Sequence, residues 1–256
     1  MNMLCGIVIA FSMYSRIPMP KIEWTKERMR YMLCFFPLVG TVIGAIMLFW
    51  MKFGKYIAGN GSLFTAILIL IPIIITGGIH MDGFLDTSDA LSSYKPTEEK
   101  LAILKDSHAG AFAVLMCGCY FVLDFGTFSE VDMQMMKVLA IGYVLSRALS
   151  GFSIVTFKKA KNTGLAAAFS DMAQQRIVGT VMIGYIFICA AAMLIADAAM
   201  GAVCLIAAIL VFLFYRMVSY KKFGGTTGDL AGFFLQICEL SMAVVLVMAQ
   251  NIAKVL

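Results

Sequence analysis

Charged residues are scarce in this sequence: Asp, Glu, Lys and Arg together make up 14% of its 256 residues. Soluble domains carry about 25%. Hydrophobic residues make up 61%, and the mean hydropathy is +0.91. The apolar residues form repeated blocks of about 20, the length that a helix needs to cross a bilayer. The sequence therefore predicts an all-α, polytopic protein of the lipid bilayer.

Several other features are missing. The seven cysteines are odd in number, lie in or beside apolar runs and lack zinc-site spacing, so neither a disulfide framework nor a zinc site is predicted. No room is left for a separate soluble domain, which predicts a single membrane domain over residues 1–256. The net charge of +5 gives no support to nucleic-acid binding. The N-terminal segment lacks the pattern of a cleaved signal, so we expect it to be retained.

Seven apolar segments are long enough to be membrane spans. They are residues 31–51, 62–79, 109–126, 134–156, 177–196, 198–217 and 229–250. Residues 3–15 are apolar but too short to cross alone, and we expect a re-entrant or interfacial helix there. The predicted architecture is a transmembrane helix bundle of about seven spans, preceded by this short helix.

Basic residues are distributed unevenly among the connections. Lys and Arg number five in residues 16–30, three in 80–108, four in 157–176 and three in 216–228, which is 15 of the 20. Because loops rich in Lys and Arg stay in the cytoplasm, this side of the cell inner (cytoplasmic) membrane is predicted to be cytoplasmic. Residues 77–108 and 224–229 then share one face and are expected to form one site.

Three aspartates follow an apolar run directly, in GGIHMDGFLDTSDAL, residues 77–91. On a helix, Asp82, Asp86 and Asp89 stand at i, i+4 and i+7, within an arc of roughly 60°. Like charges this close repel one another unless a cation lies between them, and oxygen ligands suit Mg²⁺ or Mn²⁺. Gly77, Gly78 and Gly83 would let backbone or a phosphate approach closely. The alternative is a solvated face or an acidic helix N-terminus.

The motif KDSHAG, residues 105–110, comes just before the next span. It places Lys105, Asp106, Ser107 and His108 at the membrane depth of the three aspartates. A phosphate would find a cation and a hydroxyl donor there. The alternative is that the motif only starts a helix, with Asp106 or Ser107 as its cap.

The motif GGTTGD, residues 224–229, precedes the last span. Its glycines permit a tight turn with exposed backbone N–H groups, and Thr226, Thr227 and Asp229 add two hydroxyls and a carboxylate. It is not a Walker loop, because no GK[ST] follows. We expect Gly225 and both threonines to bind phosphate; a plain interhelical turn is the alternative.

Several motifs occur in order along nearly the whole chain. They are RIPMP (16–20), FPLVG (36–40), GGIHMDGFLDTSDAL (77–91), KDSHAGAFAV (105–114), Ser146 with Arg147, and GGTTGDLAGFFLQICEL (224–240). This combination resembles the cobalamin synthase family, also called adenosylcobinamide-GDP ribazoletransferases. The resemblance implies a membrane enzyme of vitamin B12 assembly that uses Mg²⁺. The implied reaction joins α-ribazole or its 5′-phosphate to adenosylcobinamide-GDP and releases GMP. The sequence is compatible with a homo-oligomer and does not decide the oligomeric state.

The resemblance and the residue chemistry together give a metal assignment. Asp82, Asp86 and Asp89, with help from Asp106 or Asp229, are expected to hold one or two Mg²⁺ ions on the diphosphate. Metal ions and cationic side chains would stabilise the charge that grows on the leaving phosphate.

Further roles are assigned to charged and titratable residues. Lys105 and Arg147 are expected to be charge partners of the diphosphate. His80 is a candidate general base, since imidazole titrates near neutrality; a metal-bound carboxylate such as Asp89 is the alternative, and His80 is then a structural residue. Arg147 and Glu239 both lie inside spans, where they either pair with each other or line a cavity.

Two other functions are weighed. The aspartate spacing is similar to that of alcohol phosphotransferases with CDP-linked lipid donors, but Phe84-Leu85 replaces their Ala-Arg pair after Asp-Gly. A small-solute transporter would explain Arg147 and Glu239, yet its polar residues should lie near the midplane, often within inverted repeats. Most polar residues here cluster at one face, so both functions are kept only as alternatives.

Overall fold

The apolar blocks fold into α-helices joined by short connections. The structure, a computed structural model, describes residues 2–106, 108–160 and 173–255. Its α-helices are α1 (Asn2–Tyr14), α2 (Lys26–Met29), α3 (Phe36–Phe53), α4 (Lys55–Ala58), α5 (Ser62–Thr76), α6 (Ile79–Ser92), α7 (Thr97–Ile103), α8 (Ala111–Phe128), α9 (Met133–Thr156), α10 (Gln175–Ala196), α11 (Ala198–Phe223) and α12 (Gly228–Val255), with a 3₁₀ helix at Met32–Phe35. The predicted all-α class is confirmed.

Six helices in the described ranges are long and apolar enough to cross a membrane: α3 with the turns before it, α8, α9, α10, α11 and α12. They match six of the seven predicted spans. The span predicted at 62–79 is corrected to a bent helix pair. Helix α5 has only 15 residues, about 22 Å, whereas the hydrocarbon core is about 30 Å thick. The chain then turns by 95° into α6, and the pair is either a broken span or a re-entrant loop.

Two consecutive glycines make the bend between α5 and α6. Gly77 and Gly78 have φ angles of 66° and 80°, in the left-handed region that glycine adopts at little cost. Helix α5 ends at Gly77, and α6 begins directly after Gly78. The bend directs α6 across the start of α12, which is its main packing partner.

Helices α9 and α12 form the centre of the bundle. Helices α3 and α10 pack along α9, while α6 and α11 pack along α12. The most apolar parts of α8, α10 and α11 are mostly exposed, as expected for helices that face lipid. The short N-terminal helix is confirmed as α1, with Ile9 and Ala10 fully buried. Its position relative to the membrane stays a prediction.

Residues 77–108 and 224–229 meet at one end of the bundle. Among the described residues, four long helices, α8 to α11, lie between them, and an even number of passes along the bundle returns the chain to the same end. The Thr97 hydroxyl donates a hydrogen bond to the Lys222 carbonyl oxygen at 3.3 Å. The predicted convergence of the two segments is confirmed, while the assignment of this end to the cytoplasm stays a prediction.

Candidate active site

Helix α6 presents the three aspartates on one face. Asp82, Asp86 and Asp89 all lie within its helical range, so their predicted arrangement at i, i+4 and i+7 is confirmed. Asp82 is exposed, and Asp86 and Asp89 are half-buried. Elsewhere on α6, Met81 and Phe84 are buried in the bundle. The helix therefore separates an acidic, accessible face from an apolar, packed one.

His80 lies on the other side of α6 from the aspartates. It precedes Asp82 by two residues, about 200° around the helix, and is 5% exposed. Its ring stacks on Tyr14 with centroids 6.2 Å apart, and Phe36 lies edge-on at 5.8 Å. Its Nε2 atom has no hydrogen-bond partner within the described part of the chain. This placement does not favour the general-base role of His80, which stays a prediction.

The start of α12 brings a fourth carboxylate to the aspartate face. The backbone of Asp229 packs directly on Gly83, where a Cβ atom would lie 2.7 Å from the Asp229 carbonyl oxygen. Asp86 experiences the negative charge of four other carboxylates, which are those of Asp82, Asp229, Asp89 and Asp106. We call these five residues the acidic cluster. Three separate segments of the chain contribute to it.

The KDSHAG motif connects α7 to α8 and borders the acidic cluster. Gly110 lies so close to Asp89 that a Cβ atom on Gly110 would overlap the carboxylate. The Asp106 carboxylate accepts a hydrogen bond from the His108 N–H at 3.0 Å, and the His108 Nδ1 atom lies 2.7 Å away. These bonds hold the pKa of the Asp106 carboxyl below its usual value. The carboxylate is therefore ionised, and able to bind a cation, across the neutral range.

Three other predicted phosphate contacts belong to this region. Lys105 is exposed on the same connection. A Cβ atom built on Gly78 would meet no atom within 4 Å, so the backbone there is open to a ligand. Ser107 lies outside the described residues. Phosphate binding by these three residues stays a prediction.

The GGTTGD turn is hydrogen-bonded to α11 and to the segment that follows α9, as well as to α12. The Thr226 N–H donates to the Lys158 carbonyl oxygen at 2.8 Å. The Thr226 side chain is buried, and its hydroxyl is hydrogen-bonded to the hydroxyl of Tyr215. The Thr227 hydroxyl accepts the Leu230 N–H at 3.2 Å and so caps the first turn of α12. The hydroxyl of each threonine is therefore hydrogen-bonded within the protein.

These contacts decide which parts of the turn can reach a ligand. The Gly225 N–H donates to the Ser219 carbonyl oxygen at 3.0 Å, and a Cβ atom on Gly225 would collide with the Lys159 backbone. The Gly225 and Thr226 amides and the Thr226 hydroxyl are thus used within the protein, which does not favour their predicted binding of phosphate. Thr227 is half-buried and remains the better candidate.

Arg147 and Glu239 form a buried ion pair between α9 and α12. Arg147 Nη1 lies 2.7 Å from Glu239 Oε1, and the Ser146 hydroxyl donates to the same oxygen at 2.6 Å. Arg147 also donates to the Tyr143 carbonyl oxygen at 2.8 Å and is 1% exposed. The pairing given as an alternative is confirmed. It does not favour contact between Arg147 and a diphosphate at the acidic cluster.

The acidic cluster offers oxygen ligands of the kind that a divalent cation prefers, and metal binding by it stays a prediction. All of its donors are carboxylate oxygens, which Mg²⁺ prefers. Within the described ranges, no group of three His, Cys, Asp or Glu side chains converges closely enough to hold a metal ion. Binding Mg²⁺ at the cluster therefore requires side-chain rotations, which exposed and half-buried aspartates can make.

The sequence interpretation missed two residues that shape the site and one buried acidic residue outside it. Gly110 makes room for Asp89, Tyr215 fixes Thr226, and Asp124 is a buried acidic residue within α8. Only Asp124 gave a usable signal, because it is the one charged residue of α8 and carboxylates inside spans are costly. The roles of Gly110 and Tyr215 depend on contacts with Asp89 and Thr226, 21 and 11 residues away, which only the tertiary fold creates.

Comparisons with known proteins identify the family. A family model described as cobalamin-5-phosphate synthase matches residues 6–247. A protein of Lachnoclostridium phytofermentans named adenosylcobinamide-GDP ribazoletransferase is 45% identical over 252 residues, which cover 98% of this chain and 97% of the relative. Relatives with the same name from Clostridium botulinum and Geobacillus sp. are 31% and 32% identical, covering 93% and 91% of this chain and 95% and 92% of their own. No solved structure matches. Since the match extends over nearly its whole length, this chain belongs to the cobalamin-5-phosphate synthase family.

Proposed function

We propose that this protein transfers the adenosylcobinamide phosphate moiety of adenosylcobinamide-GDP to α-ribazole or α-ribazole 5′-phosphate and releases GMP. A ribose hydroxyl of the ribazole attacks the phosphorus bonded to the cobinamide. The bond from that phosphorus to the bridging oxygen breaks, and GMP leaves with this oxygen. The relatives' name, adenosylcobinamide-GDP ribazoletransferase, supports this reaction.

The observation that carries the proposal is the acidic cluster. Its five carboxylates come from α6, the α7–α8 connection and the start of α12, and they share one electrostatic neighbourhood. Asp82, Asp86 and Asp89 would hold Mg²⁺, with Asp106 or Asp229 completing the ligand set. Bound Mg²⁺ would neutralise the diphosphate and the charge that grows on the leaving GMP. A bound cation would relieve the mutual repulsion of the carboxylates, and this supports the assignment.

The other residues of the site divide the remaining tasks. We assign the acceptance of the hydroxyl proton to Asp89, which lies against Gly110 at the accessible face. His80 is less suitable, because it is buried among aromatic rings on the other side of α6. Lys105 is exposed near the cluster and pairs with a phosphate oxygen. Thr227 orients the start of α12, and with it Asp229.

We also propose that the acidic cluster faces the cytoplasm in the inner (cytoplasmic) membrane. The support is the distribution of basic residues, 15 of 20 of which lie in connections on one side. Residues 77–108 and 224–229 belong to that side. Both substrates then reach the site from the cytoplasm.

The reaction can be tested with purified protein in lipid nanodiscs. GMP release is measured from adenosylcobinamide-GDP with Mg²⁺, in the presence and absence of α-ribazole. We expect release that requires both α-ribazole and Mg²⁺, with equal amounts of GMP and of the cobalamin product. Replacing Mg²⁺ by EDTA should stop both.

Two controls separate this function from its alternative. CDP-diacylglycerol with a small alcohol should give no CMP, and the Asp82→Asn variant should release no GMP at matched protein levels. CMP release by the wild type, or GMP release that does not depend on α-ribazole, would contradict the proposed reaction.

A further inference from the structure

A second polar region lies inside the bundle, away from the acidic cluster. Helices α5, α8, α9 and α12 enclose a cavity of about 10 Å³, close to the room that one buried water needs. Its polar lining residues are Tyr120, Asp124, Tyr143, Gln236 and Glu239. Glu239 comes ten residues after Asp229 on α12, about 15 Å along the helix axis. The cavity is therefore separate from the site proposed for the transfer reaction.

Asp124 is the unusual member of this lining. Its side chain is 6% exposed, and no hydrogen bond to its carboxylate is found among the residues that the structure describes. Glu239, in contrast, accepts bonds from Arg147 and Ser146. A buried carboxylate without a partner is costly, most of all inside a span. Asp124 therefore needs a partner in the cavity.

The charges around the cavity do not balance. The groups that act electrostatically on Asp124, Tyr120 and Tyr143 are Glu239 and Arg147, besides one another. Arg147 carries the one positive charge, and its Nη1 atom is bonded to Glu239. With both carboxylates ionised, two negative charges face one guanidinium, and one of them is left uncompensated. A water molecule would supply hydrogen bonds but no charge.

We propose that this cavity binds one monovalent cation of the size of Na⁺. The polar residues that line the cavity carry oxygen atoms: the carboxylates of Asp124 and Glu239, the side-chain carbonyl of Gln236 and the hydroxyls of Tyr120 and Tyr143. Hard cations prefer such oxygen ligands. The cavity has room for a single small ion, and one positive charge completes the balance. The bound cation would tie α8 to α9 and α12 and stabilise the bundle.

The test measures thermal unfolding in nanodiscs at pH 8, with NaCl or choline chloride at equal ionic strength. Wild-type Tm should rise by about 5 °C at saturating Na⁺, because the ion binds the folded state only. Asp124→Asn keeps the shape of the side chain and removes its charge, so its Tm should not respond to Na⁺. Asp197→Asn, a helix cap in another connection, should keep the wild-type response.

Binding of ²²Na⁺ provides a direct readout. We expect about one ion per wild-type chain and none in Asp124→Asn. If Asp124→Asn does not fold, Tyr120→Phe serves instead, and its Na⁺ midpoint should rise about tenfold. A wild-type protein that binds no ²²Na⁺, and whose Tm depends on pH but not on Na⁺, would show that Asp124 is neutralised by a proton and overturn the proposal. An unchanged Na⁺ response in Asp124→Asn or in Tyr120→Phe would overturn it as well.

Discussion

The carbonyl oxygen of Asp229 occupies the space that a side chain on Gly83 would need: a Cβ atom there would lie 2.7 Å from it. Gly232, about one turn further along α12, faces α6 in the same way, with a Cβ position 3.0 Å from the His80 carbonyl oxygen. This backbone contact sets where Asp229 stands relative to the aspartates of α6. The acidic cluster thus depends on two glycines that contribute no ligand.

Gly83→Ala tests this dependence. The added methyl group meets backbone, which cannot move aside as a side chain can, so α6 and α12 must separate. We expect a loss of about 1–3 kcal/mol in stability, and a fall in turnover of up to about 100-fold, because small displacements of catalytic groups are costly. Turnover and Tm are measured beside Gly118→Ala in α8, where a Cβ atom meets nothing within 4 Å. Wild-type values for Gly83→Ala would contradict the close contact.

Asp86→Asn and Asp82→Asn test the metal assignment. Each variant removes one charge and keeps the shape of the side chain, so insertion and folding should be preserved. We expect turnover at saturating Mg²⁺ to fall by more than about 100-fold, since losing a direct ligand costs more than losing its support. Glu98→Gln, an exposed change on α7 near the same end, should leave turnover unchanged. Near-normal turnover in either aspartate variant would remove these residues from the ligand set.

The sequence predicted the aspartate face because the information is local. Asp82, Asp86 and Asp89 share a face of any helix, whatever surrounds it. The bend was not predicted, because a single span was expected through residues 62–79, and consecutive glycines do not say which way a chain turns. The 95° turn follows from the left-handed conformation of both residues and from the packing of α6 on α12.

The placement of His80 and Thr226 could not be predicted, because it depends on distant partners. His80 is buried by Tyr14, which precedes it by more than sixty residues. The Thr226 hydroxyl is hydrogen-bonded to Tyr215, which lies within α11 eleven residues earlier, and the sequence of the turn gives no sign of this bond. From residue chemistry alone, both side chains were expected to contact the substrate. In the folded protein, both are engaged by other residues instead.

Thr226 variants separate a structural hydroxyl from a phosphate ligand. Thr226→Val removes one hydrogen bond of the Tyr215 hydroxyl and leaves the bond to the Ser153 hydroxyl, 3.2 Å away. We expect a loss of about 1 kcal/mol in stability, with an unchanged KM for adenosylcobinamide-GDP per folded protein. Thr226→Ser, which keeps the hydroxyl, should resemble the wild type in both. A raised KM with unchanged stability in Thr226→Val would instead identify a phosphate ligand.

The proposed orientation is tested by single cysteines in a background without native cysteines. Cysteines at Ser93 and Lys222 should both be labelled by an impermeant thiol reagent from the cytoplasmic side alone, because their segments share one end of the bundle. A cysteine at Tyr56, which is 78% exposed in the connection before α5, should be labelled from the other side. Labelling of the cysteines at Ser93 and Lys222 from opposite sides would contradict the proposal that their segments form one site.

Asp229→Ala tests whether the first turn of α12 belongs to the metal site. If Asp229 binds Mg²⁺ or orients a ligand, its removal should raise the Mg²⁺ midpoint by about 10 to 100-fold and lower the maximal rate. A residue that only shapes the turn would lower the amount of folded protein and leave the midpoint alone. The measurement is a Mg²⁺ titration of ribazole transfer with matched amounts of folded wild-type and variant protein.

Asp197→Ala is the control. Asp197 accepts the Met200 N–H at 2.9 Å and caps α11, so its loss should lower stability without changing the Mg²⁺ midpoint. If the Asp229→Ala midpoint and maximal rate both match the wild type, the ligand set is confined to α6 and the α7–α8 connection.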